Sequence, residues 1–396
     1  MFELKHDGNY YSGTCKGCLR IVLIITNLST GGAELMLLRL MQNLDRRRFA
    51  PYVISLGMKD TVGLQIEAIG IPVTALEMRP GVSSIWKLIQ LIMKLRELKP
   101  DVVHTWMYHA DLLGGLASRI AGIKRQTWGI RHANLSPFVN KRSTLWVVKL
   151  CARLSHWIPC KILVNSHVAR KAHVAIGYSD EKMVVIPNGF DLERFVPAPL
   201  ARNQLRSDLG LDSSILLVGV IGRFHPQKNQ KGFIKAMAEL HEILPKVHFV
   251  LAGHGIDADN HLLVSAICDA GVSGVCHLLG QRTDIPNLMA ALDVLALPSV
   301  GEAFPNVVGE AMACAVPCAV TDVGDSAWLV GNTGRVVPPG DMSSLANAIH
   351  DLLKMPSKER TALGTSARER VATLFDIGAV VKQHEVFYET LASSPV

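Results

Sequence analysis

The sequence of 396 residues lacks any uninterrupted apolar run of about 18 or more residues. A helix needs roughly 20 apolar residues to cross a bilayer, so we expect no membrane-spanning segment. The N-terminus also lacks a basic segment followed by an apolar core and a cleavage site of small residues. We therefore expect no secretory signal and a cytoplasmic location, with any membrane contact made peripherally.

Paired metal-ligand cysteines are missing as well. The eight cysteines are scattered, and the only close spacing, that of Cys15 and Cys18, has no second pair at ligand spacing. Since a zinc site of this kind needs a second pair of ligands, we expect reduced thiols and no bound metal. Asp257 and Asp259 stand in a polar loop after a strand, and we interpret them as part of a solvated turn.

Acidic residues are absent between Asp111 and Asp180, a stretch that contains eleven Lys and Arg. Residues 1–196 carry 26 Lys and Arg against 14 Asp and Glu (+12), whereas residues 197–396 carry 15 against 20 (−5), which sums to the net charge of +7. A surface of one sign attracts an anionic partner, such as a phospholipid leaflet, a lipid phosphate or a nucleic acid. A basic face that is merely solvated is the alternative. The candidates for acceptor or membrane contact are Arg131, Lys141, Arg142, Lys149 and Arg153.

One segment of this basic stretch, STLWVVKLCARLSHWI, interleaves Trp146, Trp157 and aliphatic residues with Lys149 and Arg153. The pattern is typical of a helix that lies on a membrane surface. It suits a core helix with a basic outer face equally well, and the sequence leaves these two interpretations open.

Buried apolar strands alternate with helical stretches along the chain, as in LRIVLIITNLSTGGAELMLLRLMQNL. This alternation predicts parallel sheets that are covered by helices on both faces. It is interrupted at PNGFDLERFVPAPLAR, which predicts a linker, and then repeats, so we predict an α/β protein with two Rossmann-like, doubly wound domains. The predicted segments are a tail 1–18, a basic domain 19–196, a second domain 197–365 and a C-terminal segment 366–396 whose helix packs back on the first domain.

Two loops that follow predicted strands could bind an anion. Gly31 and Gly32 open a helix, where the backbone can approach a ligand closely, although a plain tight turn is the alternative. In GVIGRFHPQKNQKG, Arg223 and Lys228 can hold a pyrophosphate, although two solvated surface charges are the alternative. Neither loop has the G-x-G-x-x-G fingerprint, which disfavours a nicotinamide dehydrogenase.

The stretch DVLALPSVGEAFPNVVGEAMA places Glu302 and Glu310 around the start of a helix near Pro305. Proline is favoured in the first turn of a helix, and the unpaired amides of that turn suit a phosphate. Glu310 can accept hydrogen bonds from the hydroxyls of a ribose, and Glu302 from those of a second ring. Because burial of a carboxylate without a partner is costly, we favour a function for both over two exposed glutamates without a role. The backbone amides concerned are those of Phe304, Asn306 and Val307.

Four segments, GRFHPQKNQKG, VLAGHG, LPSVGEAFPNVVGEAMACAVPCAVTDVG and VIPNGFDLERF, resemble the retaining nucleotide-sugar glycosyltransferases of family 4. The resemblance covers residues 20–390 and implies the GT-B fold, in which two Rossmann-like domains face each other across a cleft. It implies that the first domain binds the acceptor and that the second domain binds the nucleotide-sugar donor.

The resemblance also implies roles for single residues. Arg223 and Lys228 would bind the donor diphosphate and stabilise the leaving group. Glu310 would hold the ribose, and Glu302 would hold the hydroxyls of the donor sugar, which makes Glu302 a catalytic candidate. The family needs no metal, since two cations and a helix N-terminus replace a divalent ion. Backbone contacts to the donor phosphates would come from Gly32, Phe304, Asn306 and Val307.

One strand departs from the family pattern. Many relatives carry His-x-His at the end of the strand that here reads VVHTWMYHAD. This chain has His104, but Trp106 stands at the position of the second histidine, and His109 follows. His109 is therefore the preferred candidate for contact with the donor sugar or the reacting centre, with His104 behind it. A buried structural histidine is the alternative for either residue.

Together these features predict a retaining hexosyl- or N-acetylhexosaminyl-transferase that needs no cofactor besides its nucleotide-sugar substrate, with UDP preferred to GDP. The expected acceptor is a hydroxyl of an anionic, lipid-linked saccharide in cell-surface polysaccharide or lipopolysaccharide synthesis, at the inner face of the cytoplasmic membrane. One alternative is a nucleotide-sugar epimerase of the same fold, which needs no acceptor. Another is a nucleic-acid-binding protein that uses the basic stretch 119–171, although this leaves the acidic second domain unexplained.

Overall fold

The computed structural model describes residues 17–78, 83–137 and 139–394, so Cys15 lies outside the described part of the chain. The chain divides into two compact units. The first unit comprises Met1–Pro187 with Ile377–Val396, and the second unit comprises Asn188–Asp376.

The boundary between the units lies at residue 187, whereas the sequence placed a domain boundary after residue 196. The reason is packing: Phe190 is fully buried in a core cluster of the second unit and forms a β-bridge with Asp376. The C-terminal segment predicted for 366–396 is likewise divided, because the chain passes from the second unit to the first at Ile377.

The described residues of the first unit form a parallel sheet of seven strands in the order β3-β2-β1-β4-β5-β6-β7. The strands are β1 (Leu19–Ile25), β2 (Phe49–Ser55), β3 (Val73–Ala75), β4 (Val102–Trp106), β5 (Gln126–Ile130), β6 (Lys161–Val164) and β7 (Met183–Val185). All seven residues of β2 and all five residues of β4 and of β5 are buried, as expected for parallel strands covered on both faces.

Helices cover both faces of this sheet. They are α1 (Gly32–Asn43), α2 (Asp60–Ala68), α3 (Ser83–Leu98), α4 (Tyr108–Ile120), α5 (Arg142–Leu154) and α6 (His167–Ala175). The core cluster on one face joins α1 to residues from the C-terminal end of the chain, such as Tyr388 and Leu391. The clusters on the other face join the strands to α3, α4 and α5.

The second unit contains a parallel sheet of six strands in the order β10-β9-β8-β11-β12-β13. The strands are β8 (Leu216–Ile221), β9 (Val247–Ala252), β10 (Cys276–Leu278), β11 (Val294–Leu297), β12 (Cys318–Thr321) and β13 (Arg335–Val337). The helices of this unit are α7 (Pro199–Asp208), α8 (Gln230–Ile243), α9 (His261–Asp269), α10 (Ile285–Ala291), α11 (Asn306–Ala313), α12 (Ser326–Val330), α13 (Met342–Lys354) and α14 (Ser357–Leu374).

The last helix, α15 (Ile377–Ser393), returns to the first unit and packs against α1 and β4. In the described part of the chain, no helix combines the length and the apolar character that crossing a membrane requires.

Each sheet has a point at which the strand order reverses. In the first unit, β1 pairs on one side with β2 and on the other with β4, and in the second unit β8 pairs with β9 and with β11. The loops after the two central strands diverge at such a point and leave a crevice at the carboxyl edge of the sheet, where ligands bind in open α/β sheets. The crevices are therefore formed by the loops after β1 and β4 and by the loops after β8 and β11.

A buried ion-pair cluster supports the second sheet. Asp293, just before β11, accepts hydrogen bonds from Arg206 Nη2 at 2.8 Å, from Arg202 Nη2 at 2.6 Å and from the amide of Leu217 at 2.8 Å. The side chains of Arg206 and Asp293 are both 4% exposed. The carboxylate thus joins α7 to the strands that border the crevice.

A buried histidine cluster joins α15 to the first sheet. The imidazole Nδ1 of His104 lies 2.7 Å from the hydroxyl of Tyr388, and the indole N–H of Trp106 donates to the same nitrogen at 3.3 Å. His384 is fully buried, and neither of its ring nitrogens has a hydrogen-bond partner among the described residues. Burial, with the positive charge of Arg131, lowers the pKa of His384 to about 3.

Replacement of Asp293 by alanine is expected to destabilise the second unit by about 3–5 kcal/mol, because it leaves the Arg206 guanidinium buried without its carboxylate. The melting temperature of the purified variant measures the effect. Asp259→Ala removes an exposed carboxylate of the same unit and serves as the control. Equal melting temperatures for the two variants would contradict the assignment.

The first unit is expected to lose stability as the pH falls below about 6.5, where histidines of the unfolded chain take up protons. Burial lowers the pKa of both His104 and His384 in the folded state, so the unfolded state binds more protons at these pH values. The free energy of unfolding therefore falls by about 1.4 kcal/mol for each such group and each pH unit of acidification. Melting curves at several pH values measure this slope. His384→Leu should make it shallower, whereas His261→Leu, at an exposed position of the second unit, should leave it unchanged.

Candidate active site

The loop after β8 carries Arg223 and Lys228 at the carboxyl edge of the second sheet. Arg223 is exposed, and its guanidinium forms no hydrogen bond or ion pair with the described residues. The side-chain amide of Gln230 donates to the carbonyl oxygen of Arg223 at 2.8 Å, which fixes the backbone of the loop. Asn229 adopts the left-handed conformation with φ 51° and starts α8 directly after Lys228.

The loop after β9 supports the β8 loop by a close backbone approach. A Cβ atom on Gly253, which has φ +147°, would lie 2.2 Å from the carbonyl oxygen of Gly222. Glycine is thus required at this position by both backbone conformation and space. The segment VLAGHG therefore acts structurally, by holding the loop that carries Arg223.

The loop after β11 places Glu302 beside Lys228. The ammonium of Lys228 lies 2.6 Å from Glu302 Oε1, and the hydroxyl of Ser299 donates to the same oxygen at 2.7 Å. Both ionic side chains are largely buried, 24% exposed for Lys228 and 13% for Glu302, so solvent and salt screen their attraction less than that of a surface pair. On the loop after β8, burial and then the positive charges of Arg223 and Lys228 lower the pKa of His225.

A glycine after β12 holds the backbone of Glu302. Gly324 has φ +58°, and a Cβ atom there would lie 2.6 Å from the carbonyl oxygen of Glu302 and 2.4 Å from that of Ala303. The amide of Asp325 donates to the carbonyl oxygen of Ala303 at 2.9 Å. The loops after β11 and β12 are thus packed in direct backbone contact.

Helix α11 begins at Asn306, and Pro305 is its N-cap rather than a residue of its first turn. The side chain of Pro305 makes no cap hydrogen bond, so it does not cap the first amides of the helix. Asn306 Oδ1 accepts a hydrogen bond from Asn188 Nδ2 at 2.7 Å, which ties the helix start to the segment that opens the second unit. A helix N-terminus at a strand edge carries the partial positive charge that binds phosphate.

Phe304 and Val307, whose amides the sequence assigns to phosphate binding, anchor the helix through their side chains. The Phe304 ring packs against Phe190 and Phe375 with centroid distances of 6.2 and 5.6 Å, and Val307 lies against the same core cluster. A Cβ atom on Gly309 would lie 2.0 Å from the ring of Phe190. These contacts leave α11 little freedom to move.

Glu310 lies in the second turn of α11 and is 8% exposed. Its neighbours in the sequence, Ala311, Met312 and Ala313, are buried as well. The structure therefore places Glu302 in a loop and Glu310 inside a helix, at the same sheet edge.

In the first unit, Gly31 is the N-cap of α1 and Gly32 is its first residue. A carboxylate oxygen of Glu34 lies 2.4 Å from the position that a Cβ atom on Gly31 would occupy. The N-terminus of α1 thus faces a carboxylate of its own first turn, which has the charge that the helix dipole favours.

The two candidate histidines, one in β4 and one just after it, differ in their surroundings. His104 lies within β4, is fully buried and bonds to Tyr388, so its burial favours the structural alternative. His109 is the second residue of α4, is half-buried, and has a pKa that burial lowers. It follows Met107, which has φ 77° although it is not a glycine. Strained backbone of this kind is common at binding and catalytic sites.

Four of the five basic candidates lie on α5 or at its start. Lys141, Arg142, Lys149 and Arg153 are exposed, while Val148, Cys151 and Ala152 are buried. The helix is thus a core helix with a basic outer face, which was one of the two interpretations of the sequence.

Arg131 does not belong to this surface. Its guanidinium lies 3.9 Å from the centroid of the Trp106 ring, and burial lowers its pKa to about 10. Arg131 follows β5 directly, so the strand end places it against Trp106, next to the His104 cluster.

Among the described residues, no group of three or more His, Cys, Asp or Glu side chains is arranged to hold a metal ion. Asp257 and Asp259 lie in a loop after β9, half-buried and exposed respectively. The absence of a metal requirement stays a prediction.

The geometry of the second unit suits an anionic, hydroxylated ligand. Lys228, Arg223 and the start of α11 supply positive charge, and Glu302 and Glu310 supply hydrogen-bond acceptors. Sequence reasoning missed Ser299, which orients Glu302, and Asn188, which orients Asn306. Ser299 could have been found from its position at the strand end, three residues before Glu302, whereas Asn188 had no signal besides its place in the segment VIPNGFDLERF.

Two family profiles match the sequence. One, described as "Glycosyl transferases group 1", matches residues 216–355, and the other, described as "Glycosyltransferase Family 4", matches residues 30–194. Together they span most of both units and include all the candidate site residues.

Individual proteins support this assignment. The chain is 29% identical over 295 residues to the UDP-Gal:alpha-D-GlcNAc-diphosphoundecaprenol alpha-1,3-galactosyltransferase of Escherichia coli, covering 73% of this chain and 75% of that protein. It is 28% identical over 294 residues to the D-inositol 3-phosphate glycosyltransferase of Mycobacterium sp. (strain KMS), covering 69% of this chain but only 63% of the relative.

A solved structure is similar along almost the whole chain. The crystal structure of Anabaena HepE in complex with UDP and glucose superposes with a TM-score of 0.82 at 26% identity, covering 94% of this chain and 100% of that chain. The two sheets, the matched profiles and this likeness lead to one conclusion: the chain belongs to the GT-B glycosyltransferases of family 4, group 1.

Proposed function

We propose that the protein transfers a hexosyl or N-acetylhexosaminyl residue from a UDP-sugar, with retention of configuration, to a hydroxyl of an anionic, lipid-linked saccharide. The acceptor belongs to cell-surface polysaccharide or lipopolysaccharide synthesis, and the enzyme works at the inner face of the cytoplasmic membrane. The observation that carries this proposal is the cluster of Lys228, Glu302 and Ser299 beside the N-terminus of α11.

The leaving group explains the cations of this cluster. When the bond between the anomeric carbon and the diphosphate oxygen breaks, negative charge grows on the departing UDP. In this proposal, Arg223, Lys228 and the first amides of α11 stabilise that charge without rearrangement, which is how preorganised sites lower a barrier. Such a site does the work that a divalent cation does elsewhere, which supports metal-independent transfer.

The two carboxylates have separate roles in this proposal. Glu310 is held inside α11 and accepts hydrogen bonds from the ribose hydroxyls. Glu302 binds the hydroxyls of the donor sugar and, through Lys228, is coupled electrostatically to the diphosphate. His109, at the edge of the first sheet, contacts the sugar or the reacting centre. Retention is supported by the family resemblance.

The proposed donor and acceptor classes are supported by the similar proteins. The Anabaena structure contains UDP and glucose, which supports a UDP-sugar donor. The Escherichia coli relative is named for a diphosphoundecaprenol acceptor, which supports a lipid-linked one. The basic outer face of α5 fits an anionic lipid surface.

UDP is expected to stabilise the wild-type protein in the presence of EDTA, by about 2.7 kcal/mol when its concentration is 100-fold above its dissociation constant. Thermal shift and calorimetry with UDP, GDP and their sugars measure this. Glu310→Ala should abolish the shift, because the ribose loses its acceptor. Glu242→Ala, at an exposed position on α8, should retain it. A shift that depends on added metal, or one that survives in Glu310→Ala, would contradict the proposed donor site.

Glu302→Gln is expected to lower the rate of sugar transfer by at least about 100-fold while UDP affinity changes by less than about threefold. The amide keeps the size of the side chain and frees Lys228 for the diphosphate, but it removes the charge that orients the sugar hydroxyls. Transfer rates with a labelled donor and calorimetry with UDP measure the two effects, with Glu242→Gln as the matched control. Loss of UDP binding in Glu302→Gln would show that the carboxylate acts on the nucleotide instead.

Incubation with UDP-sugar alone separates transfer from epimerisation. A transferase leaves the sugar nucleotide unchanged, apart from slow hydrolysis, until an acceptor hydroxyl is added. Conversion of one UDP-sugar into another without acceptor would establish the epimerase.

A further inference from the structure

Helix α3 carries an apolar ridge, defined here as Ile85, Trp86, Ile89 and Met93, that faces solvent. Ile85, Ile89 and Met93 recur every four residues and so lie along one side of the helix, over roughly 12 Å. The exposed fractions are 62% for Ile85, 69% for Trp86, 40% for Ile89 and 63% for Met93. Apolar residues exposed singly are ordinary, but a contiguous row of them marks an interaction surface.

The core does not need this ridge. The opposite side of α3 carries Leu91, Leu95 and Leu98, which are at most 2% exposed and pack with residues of β1, β2 and α4. The helix is therefore apolar on two sides, and packing accounts for one of them.

The ridge lies on the same face of the sheet as the basic helix α5. Helix α4 packs against α3 on one side and against α5 on the other. The three helices are tied at their C-terminal ends, because Arg96 donates to the carbonyl oxygen of Ile120 at 3.0 Å and Arg119 donates to that of Trp157 at 2.9 Å. The outer sides of α3 and α5 thus form parts of one layer of helices.

The outer side of α5 shows which partner fits this layer. Trp146 on α5 and Trp157 in the turn just after it are 66% and 67% exposed, and Lys149 and Arg153 are exposed between them in the sequence. No acidic residue occurs from 112 to 179. Tryptophan beside lysine and arginine is the composition that binds the interface of an anionic bilayer, and the charge opposes binding to a second copy of the same basic surface.

We infer that the ridge of α3 inserts into the headgroup region of an anionic phospholipid bilayer, while Lys149 and Arg153 of α5 bind the lipid phosphates. The inference rests on the proposed membrane-bound function and adds the element that inserts. Helix α3 follows β3, so the first part of the ridge, Ile85 to Ile89 in the N-terminal half of the helix, lies toward the carboxyl edge of the sheet, the edge at which Gly32 and His109 also lie. Insertion there brings that edge to the membrane surface, where a lipid-linked acceptor presents its sugar.

The test is sedimentation of the full chain with vesicles of phosphatidylglycerol and phosphatidylethanolamine, at low salt and at about 0.5 M NaCl, where surface charges are screened. Wild type should keep a salt-resistant fraction of its binding, because apolar insertion does not depend on ionic strength. Ile85→Ser/Ile89→Ser/Met93→Ser should lose that fraction by at least about tenfold. Lys149→Gln/Arg153→Gln should lose mainly the salt-sensitive binding, which is the additional vesicle binding measured at low salt.

The matched control is Leu200→Ser/Ile243→Ser/Leu262→Ser, which removes three exposed apolar side chains from the second unit and should bind vesicles as wild type does. All the substituted apolar residues are exposed, so melting temperatures should stay within about 2 °C of wild type. Salt-resistant binding that survives in the α3 variant overturns the inference. A change from dimer to monomer in that variant, seen by analytical ultracentrifugation without an effect on vesicles, overturns it in favour of a second copy.

Failure of the inference and failure of the proposed function give different results. Transfer from UDP-sugar to a water-soluble acceptor saccharide needs no vesicle, so the α3 variant should retain it. If wild type shows no transfer to any acceptor but the α3 variant still loses vesicle binding, the proposed function is wrong and the membrane-binding surface stands. If both proteins transfer the sugar and bind vesicles equally, the proposed function stands and the inference of a membrane-binding surface on α3 is wrong.

Discussion

The candidate site of the second unit depends on the parallel pairing of β8 with β11. Val218 and Gly219 of β8 lie opposite Val294 and Leu295 of β11, although three helices (α8, α9 and α10) and two strands (β9 and β10) lie between β8 and β11 in the chain. This pairing brings Lys228 within 2.6 Å of Glu302, 74 residues later in the sequence. The loops diverge there because the strand order reverses, and in open α/β sheets ligands bind in the crevice at such a point. The other features of the site hold the two loops in place once they meet.

Much of the support is backbone against backbone. Gly253 lets the β9 loop touch the β8 loop, and Gly324 lets the β12 loop touch the backbone of Glu302. Contacts of this kind cannot loosen by a change of rotamer, so they hold the charged groups more firmly than side-chain contacts would. A preorganised arrangement suits a reaction in which charge appears on the leaving group, because the protein need not reorganise as that charge develops.

The sequence was informative wherever a local pattern decides the outcome. Apolar runs predicted the strands of both sheets, and the position of Pro305 predicted the start of α11 to within a residue. The sequence was less informative where contacts with distant residues decide whether a side chain is buried or accessible. His104 and His109 stand in the same short segment, yet one bonds to Tyr388 in the core and the other lies half-buried at the sheet edge. Periodicity cannot separate these cases, because Tyr388 lies on a helix 284 residues away.

The sequence by itself determined the α/β class, the family and the residue types that meet an anionic, hydroxylated ligand, because each of these is written in short contiguous motifs. Tertiary structure alone decided the domain boundary at residue 187, the role of Ser299 beside Glu302 and the removal of Arg131 from the basic surface. It also decided that α3 has one apolar side more than its core requires. Strand order and burial are set by contacts between residues far apart in the chain, and such contacts leave little trace in local sequence.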